Sequence, residues 1–256
     1  MPSTSIRRQA QTLSKMAPRI ILYSADVCPF AHRARIALAA SGAEYETVEI
    51  DLQNKPEWYP KVNPASKVPA IWYDAPKDAD PSKPSKEAFI LPESGLMVNF
   101  LADVFPEIAD KDPLQKARAA FIASQYEPVF GAWFAYVRSD GGKDQKEFGD
   151  FIQALKDFTE KYLPDEYVES KGFNTADILM GPMITQMNIW IEKNIADWPN
   201  KSAGPDLKEA LKAPDLEKFM KYHDKLANWS ALTSTRKNTS FKGASAKVKS
   251  MRESKH

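Results

Sequence analysis

One thiol dominates the chemistry open to this chain. Its 256 residues include a single cysteine, Cys28. Cys28 sits where a short apolar run gives way to an Ala- and Arg-rich stretch, in Cys28-Pro29-Phe30-Ala31. Pro29 suits the first position of a helix, because the N–H it lacks would have had no partner there. That puts Cys28 at the N-cap, where free backbone N–H groups and the helix dipole favour a thiolate. His32, Arg33 and Arg35 add positive character within two turns. The expectation is a thiol acidified below its ordinary value of about 8.5. The competing reading is an inert cysteine that fills space. Its place just before proline, at a strand-to-helix turn, favours the reactive one.

The spacing narrows the chemistry. Dithiol redox proteins carry C-x-x-C after a first strand. Here Ala31 fills the second cysteine position. A mixed disulfide formed on Cys28 therefore cannot be resolved by this chain, and an external thiol must do it. Glutathione, a small abundant thiol, is the obvious candidate. One thiol can neither close an internal disulfide nor build a structural zinc site. His32, His223 and His256 are too scattered for a metal cluster, so no metal is expected.

The flanking sequence predicts the elements that position this thiol. Arg19–Ser24 reads as a buried strand, Pro29–Ala40 as a helix stopped near Gly42, and Tyr45–Ile50 as an alternating strand. A short helix around Glu57–Tyr59 follows, then strands at Val68–Tyr73 and Ala88–Leu91. Ser94 opens a helix to about Phe105, giving the order β-α-β-α-β-β-α. The polar, proline-rich stretch 74–87 reads as an exposed loop. From Pro113 on no strand is expected. Pro113–Ser139 reads as one long helix kinked at Pro128, with helices near 145–163, 175–193 and 214–230. Region 194–213 is mixed, with room for a short helix.

Apolar residues make up 43% and charged residues 27% of the chain, so wholesale disorder is not expected. No stretch approaches the roughly 18 apolar residues of a membrane span, and no secretory signal is evident. The formal net charge of +1 hides a division. Residues 20–233 carry 24 Lys/Arg against 33 Asp/Glu, a body of −9 between arms of +4 and +6. An acidic body argues against nucleic-acid binding. The basic ends read as flexible solvated tails. The expected organisation is a basic N-terminal arm (1–18), an α/β domain (19–105), a linker (106–112), an all-helical domain (113–233) and a basic C-terminal tail (234–256).

Residues 19–230 resemble a cytosolic glutathione transferase, with a thioredoxin-like α/β N-terminal domain and an all-α C-terminal domain. Cys28-Pro29-Phe30-Ala31-His32-Arg33 is similar to the omega class. The proline-rich insertion is compatible with a fungal member. Asn54-Lys55-Pro56-Glu57-Trp58, Asn63-Pro64 before Val68-Pro69, and Glu93-Ser94 carry the likeness further. Cys-Pro-Phe alone is less specific, because glutaredoxins and intracellular chloride-channel proteins share it. The resemblance implies that Cys28 is catalytic and that glutathione is the cosubstrate. Phe30 would flank the thiol. A cis Pro69 would turn the Val68 backbone toward glutathione's cysteine. Ser94 would hold the γ-glutamyl carboxylate, and Glu93 the ammonium. Lys55 would reach the glycyl carboxylate, with Leu52 beside it. Gly172-Phe173-Asn174-Thr175-Ala176-Asp177 resembles the family's folding cap, with Asn174 at the N-cap and Asp177 at N3.

Tyr126, Phe130, Trp133 and Val137 share one helix face, either a hydrophobic acceptor site facing Cys28 or plain core or dimer interface. Met183, Met187 and Trp190 form a similar stripe, read as core. The leading expectation is glutathione-dependent thiol transfer, or reductive deglutathionylation, through a Cys28–glutathione mixed disulfide. The alternatives are a ligandin that sequesters aromatic small molecules and a membrane-inserting chloride-channel relative. Partners would be glutathione, hydrophobic or glutathionylated small molecules and, by resemblance, a second copy, with neither nucleic acid nor membrane. The expected location is the cytoplasm. The acid-free residues 1–19 leave a mitochondrial presequence as the minor alternative.

Overall fold

The computed structural model describes residues 17–236 and 241–254. The expected basic N-terminal arm falls almost wholly outside them. The chain opens with β1 (Ile20–Ser24), α1 (Pro29–Ser41), β2 (Glu46–Glu49), α2 (Tyr59–Val62), β3 (Ala70–Tyr73), β4 (Ile90–Pro92) and α3 (Ser94–Val104). The expected element order holds. The four strands form one sheet in the order β2-β1-β3-β4. β1 pairs parallel with β2 and antiparallel with β3, and β4 pairs antiparallel with β3.

β1, apolar up to Ser24, is buried on both faces, as is β3 up to Trp72, in keeping with their apolar runs. Ile20, Leu22 and Ile71 face the core they share with α1 and α3. Ile21, Tyr23, Ala70 and Trp72 face the opposite side, against Tyr59 and Val62 of α2. The stretch 74–87 helps to cover that second face. Ala75 is buried, Ala79 packs on the cluster, and Tyr23 Oη donates to the Pro81 carbonyl at 2.6 Å. Arg19 donates to the Ala79 carbonyl at 3.1 Å and pairs with Glu46 at 2.7 Å. The stretch is a loop, as expected, but one tied to β1 at both ends.

After Val104, all regular structure among the described residues is helical. The helices are α4 (Pro113–Gln125), α5 (Glu127–Val137), α6 (Lys146–Lys161), α7 (Asp165–Glu169), α8 (Thr175–Glu192), α9 (Ala203–Ala210), α10 (Glu217–Ala227), α11 (Ser230–Ser234) and α12 (Lys242–Glu253). The long helix expected over Pro113–Ser139 is two helices that meet at Tyr126. Pro128 has no N–H for the Ser124 carbonyl, so the ladder breaks there. The Asn174 cap forms as expected: its Oδ1 accepts from Ala176 N and Asp177 N, and Asp177 Oδ2 accepts from Asn174 N at 2.8 Å.

The expected solvated C-terminal tail is corrected. Lys242–Glu253 is a helix docked on the body. Val248 is buried in the main core, and Arg252 donates to the carbonyls of Val137 and Ala196, each at 3.1 Å, and of Asp197 at 3.3 Å. At the head of α12 a Cβ on Gly243 would fall 2.3 Å from Gln53 Nε2. The last helix therefore starts against the loop that follows β2. The basic charge of this segment hid an amphipathic helix.

Candidate active site

Cys28 caps α1 in extended conformation (φ −86°, ψ 118°), with Pro29 in the first turn. The short strand β1 ends at Ser24, and the turn Ala25–Val27 delivers Cys28 to the helix start. There Cys28 N donates to the Ala25 carbonyl at 3.0 Å and His32 N to the Cys28 carbonyl at 3.0 Å. The thiol is free and partly exposed. Its Sγ lies 3.9 Å from the Val68 carbonyl. The Val68–Pro69 peptide bond is cis. The residue before it is held firmly: the Lys67 carbonyl accepts from Tyr59 Oη at 2.7 Å and from Asn63 Nδ2 at 2.7 Å.

A cleft of about 250 Å³ opens on the Val68 side of this pair, lined by Phe30, Asn63, Lys67, Val68, Pro69, Glu93 and Ser94, while Cys28 itself lines a separate narrow crevice. Glu93 is exposed and takes φ +70°, a left-handed conformation rare for a residue with a side chain. It thereby delivers the buried Ser94 to the start of α3, whose first backbone N–H groups have no helical partner. Five of the expected site residues thus meet at one cleft. Lys55 and Leu52 are not among its lining residues. Lys55 Nζ instead donates to the Ser66 carbonyl at 2.7 Å. Leu52 is half-buried in the bend after β2.

The electrostatics correct one expectation. Burial pushes the Cys28 thiol above its ordinary value. The backbone N–H groups of Ala31 and Phe30, then Arg35 and Arg33, pull it down without reversing the shift. His32 adds no charge: burial first, then Arg35 and Arg236, push it down to about 3. Its Nε2 lies 3.1 Å from the Leu232 carbonyl and 3.0 Å from Thr235 Oγ1. Arg35 is turned inward, donating to Ser24 Oγ at 2.7 Å and to the Ala25 and Asp26 carbonyls. The helix start is therefore cationic, but Arg35 is buried and engaged within the fold and Arg33 is half-buried. Helical periodicity alone does not show which way each side chain turns.

Of the readings open for the aromatic stripe, plain core holds for Tyr126, Trp133 and Val137. Tyr126 and Trp133 are buried, Tyr126 against Phe158 and Trp133 against Phe151 and Trp198. Val137 is buried too. These are core residues and line no acceptor site at Cys28. Phe130 alone reaches the site, edge-on to Phe30 at 5.6 Å. Met183, Met187 and Trp190 are core, as expected. The groups that do approach Cys28 from the helical half are Gln186 and Ile189 of α8, with Arg236 and Phe241, around a narrow crevice. Gln186 Nε2 donates to the Val27 carbonyl at 3.0 Å. None of these four carried a sequence signal, because they lie some 160–210 positions from Cys28.

A family model described as glutathione S-transferase, N-terminal domain, matches residues 27–104, the stretch that holds every residue of the cleft. Among solved structures, glutathione transferase Omega 2C from Trametes versicolor is 34% identical with a TM-score of 0.75, over 92% of this chain and 99% of that one. Omega 2S from the same fungus, in complex with 2,4-dihydroxybenzophenone, is 29% identical with a TM-score of 0.72, over 85% and 93%. Among curated proteins, glutathione S-transferase omega-1 of Mus musculus is 28% identical over 137 residues, 53% of this chain and 52% of that protein. The chain spans about half the length of the first curated relatives it matches. The structural likeness runs through both the sheet and the helices, and with it the chain belongs to the glutathione transferase family, in its omega type.

Proposed function

We propose that the protein is a glutathione-dependent thiol transferase that works through a Cys28–glutathione mixed disulfide. The observation that carries this reading is the placement of the only thiol. Cys28 caps a helix 3.9 Å from the Val68 carbonyl, with Ala31 where a resolving cysteine would stand. Glutathione would lie along the cleft, its cysteine paired with the Val68 backbone and its γ-glutamyl carboxylate at Ser94 and the free N–H groups of α3. Glu93, Phe30 and Pro69 would complete the contacts. Lys55 and Leu52 would join only if the loop after β2 moves toward the ligand.

The chemistry balances without a metal or a second protein thiol. The Cys28 thiolate attacks the glutathionyl sulfur of a disulfide between glutathione and an acceptor thiol. The S–S bond breaks, the acceptor thiolate leaves and takes up a proton, and Cys28 carries glutathione. A second glutathione thiolate then attacks the glutathionyl sulfur, releasing oxidised glutathione and the Cys28 thiolate. Burial opposes the thiolate that this cycle needs, and the backbone N–H groups of Ala31 and Phe30, with Arg35 and Arg33, offset part of that cost. Conjugation of glutathione to electrophiles is disfavoured, since the cysteine would be consumed by its own cosubstrate. Exchange of a small glutathionyl disulfide, measured with and without Cys28, tests the reading.

One observation favours a second reading. Phe30 is exposed beside the thiol, with Phe130 against it. The related Omega 2S binds an aromatic ketone. Sequestration of hydrophobic aromatic molecules at this edge is the ligandin alternative, and saturable binding without turnover would support it. We also assign the protein to the cytoplasm and to a homodimer. Phe89, Leu96 on α3, and Leu114 and Phe121 on α4 are large apolar side chains left exposed. Among the described residues no helix is long and apolar enough to cross a membrane.

A further inference from the structure

Arg33 of α1 is a half-buried cation, and its three hydrogen-bond partners lie on two other helices. Its Nε donates to the Leu179 carbonyl of α8 at 2.7 Å. Its Nη2 lies 3.2 Å from the Met183 sulfur, also on α8. Its Nη1 donates to Ser94 Oγ at 3.1 Å, at the start of α3. The guanidinium also lies over the Phe30 ring, 5.1 Å from its centroid. Burial pushes Arg33 down to about 10, opposed by Glu127, so it stays charged at neutral pH.

The bond to Ser94 has a consequence for a ligand. A serine hydroxyl has one hydrogen and two lone pairs, whereas a guanidinium can only donate. With one lone pair committed to Arg33, the hydroxyl hydrogen of Ser94 must point elsewhere. Ser94 is the one of Arg33's three partners that lines the cleft. Without Arg33 the hydroxyl would be free to rotate about its C–O bond and could turn a lone pair rather than its hydrogen toward a ligand.

Resting on the reading of the cleft as a glutathione site, we propose that Arg33 is a positioning residue: it fixes the Ser94 hydroxyl as a donor to the γ-glutamyl carboxylate of glutathione. Through Leu179 and Met183 it also locks α8 to the element that makes this contact. Affinity for the carboxylate end of the ligand then depends on a side chain that does not touch it.

The test is a titration of wild type, Arg33→Gln, Ser94→Ala and the double variant with two ligands. One is S-methylglutathione. The other is its analogue built on 4-aminobutanoate, which keeps the amine and lacks the α-carboxylate. Wild type should prefer S-methylglutathione. Arg33→Gln should lose about tenfold in affinity for it, the worth of one hydrogen bond to a charged group, and little for the analogue. The double variant should bind no more weakly than Ser94→Ala. Arg33→Lys keeps the charge but lacks the planar fork that spans α8 and α3, and should show the same ligand-selective loss; it replaces Arg33→Gln if that variant does not fold. Equal loss for both ligands would make Arg33 a structural clamp and overturn the proposal, as would additive losses in the double variant. Wild type binding both ligands equally overturns this inference and leaves the glutathione reading standing. Wild type binding neither overturns both.

Discussion

The sulfur of Cys28 faces the carbonyl of Val68 across 3.9 Å, at the meeting of the first helix and the turn before β3. Two segments 40 positions apart converge there, each fixed by its own hydrogen bonds, so thiol and backbone receptor keep their separation without a ligand. The same burial that fixes the pair holds the thiol above its ordinary value. Its anion should therefore appear only as pH rises into the alkaline range. Alkylation of ligand-free protein by iodoacetamide should accelerate through that range, with a midpoint above that of an ordinary cysteine. A rate already level at neutral pH would show an acidified thiol instead.

His32 sets the acid response. It is held neutral down to about 3 in the folded protein, whereas the unfolded chain protonates it near 6.5. Between those values the unfolded state binds more protons, so stability falls as pH drops below about 6.5, by at most about 1.4 kcal/mol per pH unit from this residue. His32→Gln should flatten that part of the profile in urea unfolding measured from pH 7 to pH 4. An unchanged slope would place the charge response elsewhere.

Arg252→Met should destabilise the protein by about 2–3 kcal/mol, because the carbonyls of Val137, Ala196 and Asp197 lose their charged donor in a buried setting. Chemical denaturation measures this directly. A change within about 0.5 kcal/mol would mean that α12 docks too loosely to matter.

Leu114→Glu and Phe121→Glu place charges on two side chains that are 71% and 54% exposed in the single chain. If the protein pairs through this face, each should shift the mass in light scattering from dimer toward monomer with little change in melting temperature. Wild type running as a monomer at micromolar concentration would remove the premise.

Much of this was legible in local pattern. The strand-to-helix turn at Cys28-Pro29, the helix start at Ser94 and the Asn174–Asp177 cap are each short-range devices, and each sits where its residues require. What escaped were properties that depend on distant packing. The apparent charge of His32 was cancelled by burial, with Arg35 and the distant Arg236 adding to the effect. The aromatic stripe on 126–137 divides between the core and the edge of the site through long-range packing that helical spacing does not reveal. The basic tail became a helix because Arg252 finds three carbonyls that no nearby residue announces. The two α8 residues at the thiol, Gln186 and Ile189, were invisible for the same reason.

The central claim is that Cys28 carries glutathione during turnover. The most direct measurement compares wild type with Cys28→Ser on a small glutathionyl disulfide, a glutathionyl ketone and an electrophilic aryl halide. Wild type should turn over the two glutathionyl substrates and leave the aryl halide nearly untouched. Cys28→Ser should drop to the uncatalysed background on both glutathionyl substrates, and any activity it gains should be on the aryl halide. A serine variant that reduced the glutathionyl disulfide at the wild-type rate would contradict the account.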